Sequence, residues 1–156
     1  MKQHIRNKVI FKGEPEKLII IRDLLQPSDP QIFFLFEHIL PLDGKNPLEV
    51  WGVDDECEES DSVLYHNQTI LEYTFDTVDR VPLPVFRKLA DMFSDAKLEI
   101  HYASEDLGDN CGIYNLLIDG SLSFSEPDDP FLFACEIWNK DPEEEMAERA
   151  INFYEE

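Results

Sequence analysis

The sequence predicts a single α+β domain. Its 156 residues suit one hydrophobic core, and 43% of them are hydrophobic, including eleven Phe, five Tyr and two Trp. Stretches in which apolar and polar residues alternate, as in a half-buried strand, are interleaved with stretches in which apolar residues recur every three or four positions, as in a helix. Together these observations predict an antiparallel sheet covered by helices.

The first third of the chain predicts strands around one helix. Residues 7–12 predict a strand. Residues 14–25 predict a helix, because a proline between two glutamates opens it and apolar residues recur at helical spacing. The almost continuously apolar run 31–40 predicts a central strand, and 48–51 predicts a short further one.

The middle of the chain predicts a hairpin, a helix and two more strands. Residues 62–66 and 69–76 flank Asn67-Gln68 and alternate in the manner of paired strands. Two prolines lead into a predicted helix over 82–93. Residues 97–103 and 113–118 predict strands, and Leu122 and Phe124 extend the second beyond an Asp-Gly turn.

The last thirty residues predict one further strand and one further helix. The apolar run 131–138 predicts the strand. Asp141, Pro142 and Glu144 have the residue types and spacing of a helix start. The helix would then carry an apolar stripe of Met146, Ala150 and Phe153.

This order contains the βαββαβ arrangement of a ferredoxin-like fold, in which an antiparallel sheet has its helices on one face. We therefore expect a ferredoxin-like domain over residues 1–125. We expect residues 126–156 to form a C-terminal strand–helix extension that packs on the same domain.

Several pieces of the chain resemble the YubB-type ferredoxin-like domain, a family of small proteins from bacteria, conjugative plasmids and phages. The most specific piece is the run LEYTFDTVDRVPLPVFRKLADMF at 71–93. Shorter matching pieces are 7–13, 39–41, 51–52 and the acidic turn 105–112. The resemblance covers residues 7–120, and the tail after about residue 125 looks particular to this chain. It implies the fold and carries no catalytic residues.

The charge of the chain is extreme and unevenly distributed. Thirteen Lys and Arg face thirty-four Asp and Glu, which gives a net charge of −21. Residues 1–50 contain as many basic as acidic residues, so the whole excess falls in 51–156. Such a charge favours solubility or a basic partner, and it disfavours direct binding to nucleic acid, whose phosphates require clustered Lys and Arg.

Other composition features exclude further classes of protein. The longest apolar runs are only a few residues, far short of the roughly 20 that cross a bilayer. The cysteines are Cys57, Cys111 and Cys135, an odd number without a CxxC pair. With no signal peptide visible, they indicate reduced thiols and a cytoplasmic protein. No nucleotide-binding or cofactor motif is present, so we expect no cofactor.

Acidic clusters are the feature that points to a function. They cover 54–61, 105–109, 126–129 and 141–148. We expect a non-catalytic module that binds another protein through an acidic surface. A basic protein is the partner that this charge favours, and homodimerisation through the C-terminal helix is the alternative. The candidate surface consists of Asp54, Asp55, Glu56, Glu58, Glu59, Asp61, Glu105, Asp106 and Asp109. Carboxylates on a rigid surface can also imitate DNA phosphates, so an inhibitor of a DNA-binding protein or restriction enzyme is the alternative.

Three kinds of chemical site compete with this interpretation. A small hydrolase could use Glu105 or Asp106 with His101 if a cleft held them. Cys57 could act as a nucleophile with His66 or His101, but the surrounding acids should raise its pKa and suppress the thiolate.

A metal site is the third kind. His38, His66 and His101 with Cys57 could bind zinc, yet no two of them have a zinc-motif spacing. The run 54–61 could bind calcium, but it lacks the glycine and the final glutamate of an EF-hand loop. We therefore predict no metal.

Overall fold

The structure, a computed structural model, describes residues 2–65 and 67–155, with side chains described up to Ile151. The strands are β1 (His4–Lys12), β2 (Glu58–Tyr65), β3 (Ile70–Val78), β4 (Lys97–Ser104), β5 (Cys111–Leu116) and β6 (Leu122–Ser125). The helices are α1 (Pro15–Leu25), α2 (Phe36–Ile39), α3 (Pro47–Trp51), α4 (Leu83–Met92), α5 (Pro130–Ile137) and α6 (Pro142–Glu155).

All six strands form one sheet in the order β2-β3-β1-β4-β5-β6, and every neighbouring pair is antiparallel. Strand β1 lies between β3 and β4, and its Val9 lies opposite Tyr73 on one side and Ile100 on the other. The predicted α+β class and antiparallel sheet are confirmed.

The main core fills one face of this sheet. Alternate residues of the central strands, such as Phe11 and Phe75, are fully buried there. They pack against the buried sides of α1 and α4, which include Leu18 and Phe86. This face therefore contains the helices that the helical spacing of 14–25 and 82–93 predicts.

The opposite face carries a smaller apolar cluster, which is formed by α5, a helix that the sequence analysis did not predict. Helix α5 covers the end of β4 with buried Ala134, Cys135 and Ile137. These side chains meet Ala103, whose position on β4 points away from the main core. The second cluster forms because one side of α5 is apolar and packs on the sheet, while Leu132 and Glu136 on its other side stay exposed.

Three predicted strands are wrong. Residues 31–40 form a turn, an extended stretch and the short α2. Residues 48–51 belong to α3, and 131–138 belong to α5 and its C-terminal cap. Each of these helices has a carboxylate or amide oxygen at its first turn, which accepts backbone N–H groups that a helix leaves free.

Candidate functional site

The register of the sheet brings separate acidic segments to one of its ends. Strands β1, β2 and β5 begin at this end and β3, β4 and β6 finish there, as the pairs His4–Val78 and Ala103–Cys111 require. The adjoining loops are rich in acids. We call the following carboxylates the acidic end: Asp54, Asp55, Glu56, Glu58, Asp79, Glu105, Asp106, Asp109, Glu126, Asp128 and Asp129.

At the other end of the sheet, two acids have lysine partners. Lys17 lies 3.0 Å from the Asp95 carboxylate and donates a hydrogen bond of 2.9 Å to its backbone carbonyl. Lys12 lies 2.6 Å from Glu99. These two acids are paired with lysines, whereas the acidic end brings eleven carboxylates together.

His4 joins two of the predicted clusters. Its Nε2 lies 3.6 Å from Glu58 and its Nδ1 lies 3.6 Å from Glu105. The Glu105 carboxylate also accepts the backbone N–H of His4 at 3.0 Å. The structure thus brings the cluster around residue 58 and the cluster around residue 105 together across the start of β1.

The loop between β4 and β5 carries a pair of carboxylates that share a hydrogen bond. Asp109 bonds to the Asp106 side chain, and this contact raises the pKa of Asp106 above its usual range. Arg149 of α6 donates to the backbone carbonyl of Leu107 in the same loop. Helix α6, which carries the cluster 141–148, is therefore held beside the acidic end.

Two carboxylates of the acidic end stabilise the fold directly. The Glu56 carboxylate accepts the backbone N–H groups of Phe36 and Glu37, the latter at 3.0 Å, so it caps α2. Asp129 accepts the N–H of Leu132 at 3.1 Å and caps α5. Because these hydrogen bonds occupy both carboxylates, each is less available to a partner than the exposed acids beside it.

Glu59 and Asp61 lie apart from the rest of the candidate surface. They line a groove of about 400 Å³ between β1, β2 and the end of α5. Arg6 lies in this groove, 2.9 Å from buried Asp76 and with its guanidinium 4.2 Å above the ring of Trp138. Sequence reasoning missed this cation because Arg6 lies just before the predicted strand 7–12, whereas β1 begins at His4.

The Cys57 thiol, which was considered as a nucleophile and as a metal ligand, is partly buried and hydrogen-bonded. Cys57 Sγ donates to the carbonyl of Phe34 at 3.2 Å, and burial together with Glu56 raises its pKa well above the usual range. Within the described part of the chain, no group of three or more His, Cys, Asp or Glu side chains could hold a metal ion. The candidate ligand and base His66 lies outside the described residues.

The hydrolase alternative requires His101 beside Glu105 or Asp106, and the structure gives these residues different partners. His101 lies on β4, 3.5 Å from Glu99, with its ring 5.6 Å from that of Phe133. Glu105 contacts His4 instead. The residues that this reaction would need are therefore not brought together.

Comparison with known families identifies the chain. The profile of the ferredoxin-like domain in Api92-like protein matches residues 56–148, more than half of the sequence. The chain belongs to this family. The match includes α5 and part of α6, so residues 126–148, which looked particular to this chain, lie within the family's domain.

No curated protein and no solved structure matches the chain. Across residues 2–65 and 67–155, no helix is both long and apolar enough to span a bilayer.

Proposed function

We propose that this Api92-like domain is a non-catalytic binding module that holds a basic surface of another protein against the acidic end. One observation carries the proposal: carboxylates that are far apart in sequence meet at a single end of a rigid sheet. Repulsion among them costs stability in the free protein. A basic partner would remove that repulsion, and the same potential would accelerate its association.

The sign of the charge decides the class of partner. Nucleic acid and anionic membranes would be repelled by the acidic end. A protein that presents clustered Lys and Arg is attracted, and such a protein can itself be one that binds nucleic acid. The DNA-mimic function is the special case in which the partner's basic groove normally holds a duplex.

Two variants of equal charge test the proposal. The acidic-end variant carries Asp54→Asn, Asp55→Asn, Asp106→Asn and Asp128→Asn, and the control variant carries Glu16→Gln, Asp23→Asn, Glu49→Gln and Asp91→Asn. All eight side chains are exposed. Each tagged protein is used to capture partners from a lysate of its own cells, and the captured proteins are eluted with salt.

The proposal expects a basic protein to be captured by the wild type and the control variant and lost with the acidic-end variant. Equal capture by all three proteins, or capture of nothing, would contradict it. Duplex DNA added as competitor distinguishes the two forms of the function. Release of the partner by DNA supports mimicry, whereas retention supports an ordinary acidic interface.

A second part of the proposal concerns which elements form the ferredoxin-like unit. We infer that β1, α1, β2, β3, α4 and β4 correspond to the βαββαβ unit of the ferredoxin-like fold, with α2 and α3 inserted after α1. The likeness of 71–93 to YubB-type domains supports this correspondence, because that run covers β3 and α4. An experimental structure in which β3 does not lie between β2 and β1 would overturn it.

A further inference from the structure

The two edges of the sheet are protected very differently. The β2 edge carries Glu58, Glu59 and Asp61, and its register shifts between Glu58 and Asp61, where Glu59 has a positive φ of 50°. Charged residues and bulges of this kind prevent an edge from pairing with another strand. The β6 edge has neither: residues 121–125 are SLSFS, and their register with β5 is unbroken.

The hydrogen-bonding pattern shows which groups of β6 face outward. Leu117 N–H donates to the Ser121 carbonyl at 2.9 Å, so Ser121 directs its backbone groups toward β5. Because this direction alternates along an antiparallel strand, Ser123 and Ser125 do the same. The N–H and C=O groups of Leu122 and Phe124 therefore point away from the sheet.

The side chains of these same two residues share one face. Phe124 is 49% exposed, and its ring lies 5.3 Å from that of Tyr114. Leu122 is partly buried beside the main core. An incoming strand would thus find free backbone groups and an apolar surface together, in a segment without charge.

We propose that β6 pairs with β6 of a second copy of the chain, antiparallel, about a two-fold axis through Ser123. Leu122 then lies opposite Phe124 of the second copy, and the reverse pair follows by symmetry. The outward N–H and C=O groups of both residues form four hydrogen bonds in this register. No other register uses both residues of both copies, so the edge is complementary to itself.

Charge supports the antiparallel arrangement and limits its strength. The two-fold axis places the acidic ends of the two copies at opposite ends of a continuous sheet, which separates the largest like charges. The same axis brings Asp119 near Glu126 of the second copy, and the repulsion between these two carboxylates weakens the contact. The contact covers one short strand, below the area of stable interfaces, so we expect association at roughly 0.1–1 mM that strengthens with added salt.

A pair of charge variants at the axis tests the proposal. Ser123 is exposed and would face Ser123 of the second copy. Ser123→Glu and Ser123→Lys each place two like charges in contact, which should weaken the dimer about tenfold. Mixed in equal amounts, the two variants should associate again, because the axis now joins opposite charges. Sedimentation equilibrium at 0.1–1 mM measures all samples at about 0.15 M salt.

Two results of these measurements would overturn the proposal. One is a wild-type protein that stays monomeric over this range, and the other is a mixture of variants that associates no better than each variant alone. Met146→Lys, on the exposed side of α6, is the matched control. Loss of the dimer in this control, with the Ser123 variants unaffected, would assign the contact to α6 and also contradict β6 pairing.

Discussion

Gly112 lies on β5, beneath the aromatic rings of Phe124 and Tyr102. A Cβ at this position would collide with the ring of Phe124 and come within 3.0 Å of Tyr102. Since the Phe124 ring is half exposed it can move aside, and Gly112→Ala should then lower the free energy of unfolding by about 1–3 kcal/mol. Gly13→Ala is the control, because nothing lies within 4 Å of its Cβ. Equal urea midpoints for the two variants would refute this packing.

The Asp106–Asp109 pair makes a prediction about titration. The shared hydrogen bond raises the pKa of Asp106, so this carboxyl retains its proton to higher pH than an ordinary aspartate. In Asp109→Asn the amide donates to the ionised carboxylate instead, and the pKa of Asp106 should fall. Carbon-detected NMR titration measures it, with Asp128→Asn as the control. An unchanged Asp106 titration in Asp109→Asn would show that the pair does not exist.

Sequence reasoning identified the acidic residues but not their individual roles. Glu56 was one of several acids in a solvated run, yet it caps α2 from twenty residues away. No local signal carries that information, because the contact depends on where the chain returns. The stack of Arg6 on Trp138 was missed for the same reason. Predicting it required knowing that 131–138 is a helix across the end of the sheet.

At the scale of elements, two of the helices that were missed, α3 and α5, did carry local signals. Asp129-Pro130 has the same cap and first-turn proline as Asp141-Pro142, which correctly predicts α6. Asn46-Pro47, followed by Gly52 with a φ of 81°, marks both ends of α3. A short apolar run cannot be assigned to strand or helix by periodicity alone, so the caps should decide.

The contact of α5 with the sheet yields an element-scale prediction. Trp138 Nε1 donates to the carbonyl of Ala103 at 2.9 Å while its ring covers Arg6. Trp138→Ala removes both contacts and should lower the free energy of unfolding by about 2–3 kcal/mol. Leu132→Ala, on the exposed side of α5, should cost less than about 0.5 kcal/mol. If urea denaturation shows that Trp138→Ala and Leu132→Ala lower the free energy of unfolding by similar amounts, α5 does not pack as described.

At the scale of the whole molecule, the charge is polarised along the strands, and this predicts a salt effect on stability. Repulsion within the acidic end is screened over about 8 Å at physiological ionic strength, so the thermal midpoint should rise with salt. The four-site acidic-end variant should show a smaller rise than the four-site control variant. If the two variants respond equally, net charge alone sets the effect and the local concentration of carboxylates is irrelevant.

The sequence showed that the acids are clustered but could not show that the clusters meet. Segments 54–58, 105–109 and 126–129 are joined only by the order and register of six strands. The order and register depend on pairing between segments that are distant in sequence. Residues 31–40, which were predicted as one of the strands, do not form a strand. The position of the acidic end is thus a property of the topology.

The most direct test of the acidic end is an amide NMR titration of the labelled protein with a short lysine peptide. We expect shifts confined to the loops around 54–58, 79, 105–109 and 126–129, with the turns at 13–14, 93–96 and 117–121 unaffected. A common midpoint would show that the separate segments act as one binding surface. Shifts spread equally over both ends of the sheet would contradict the account.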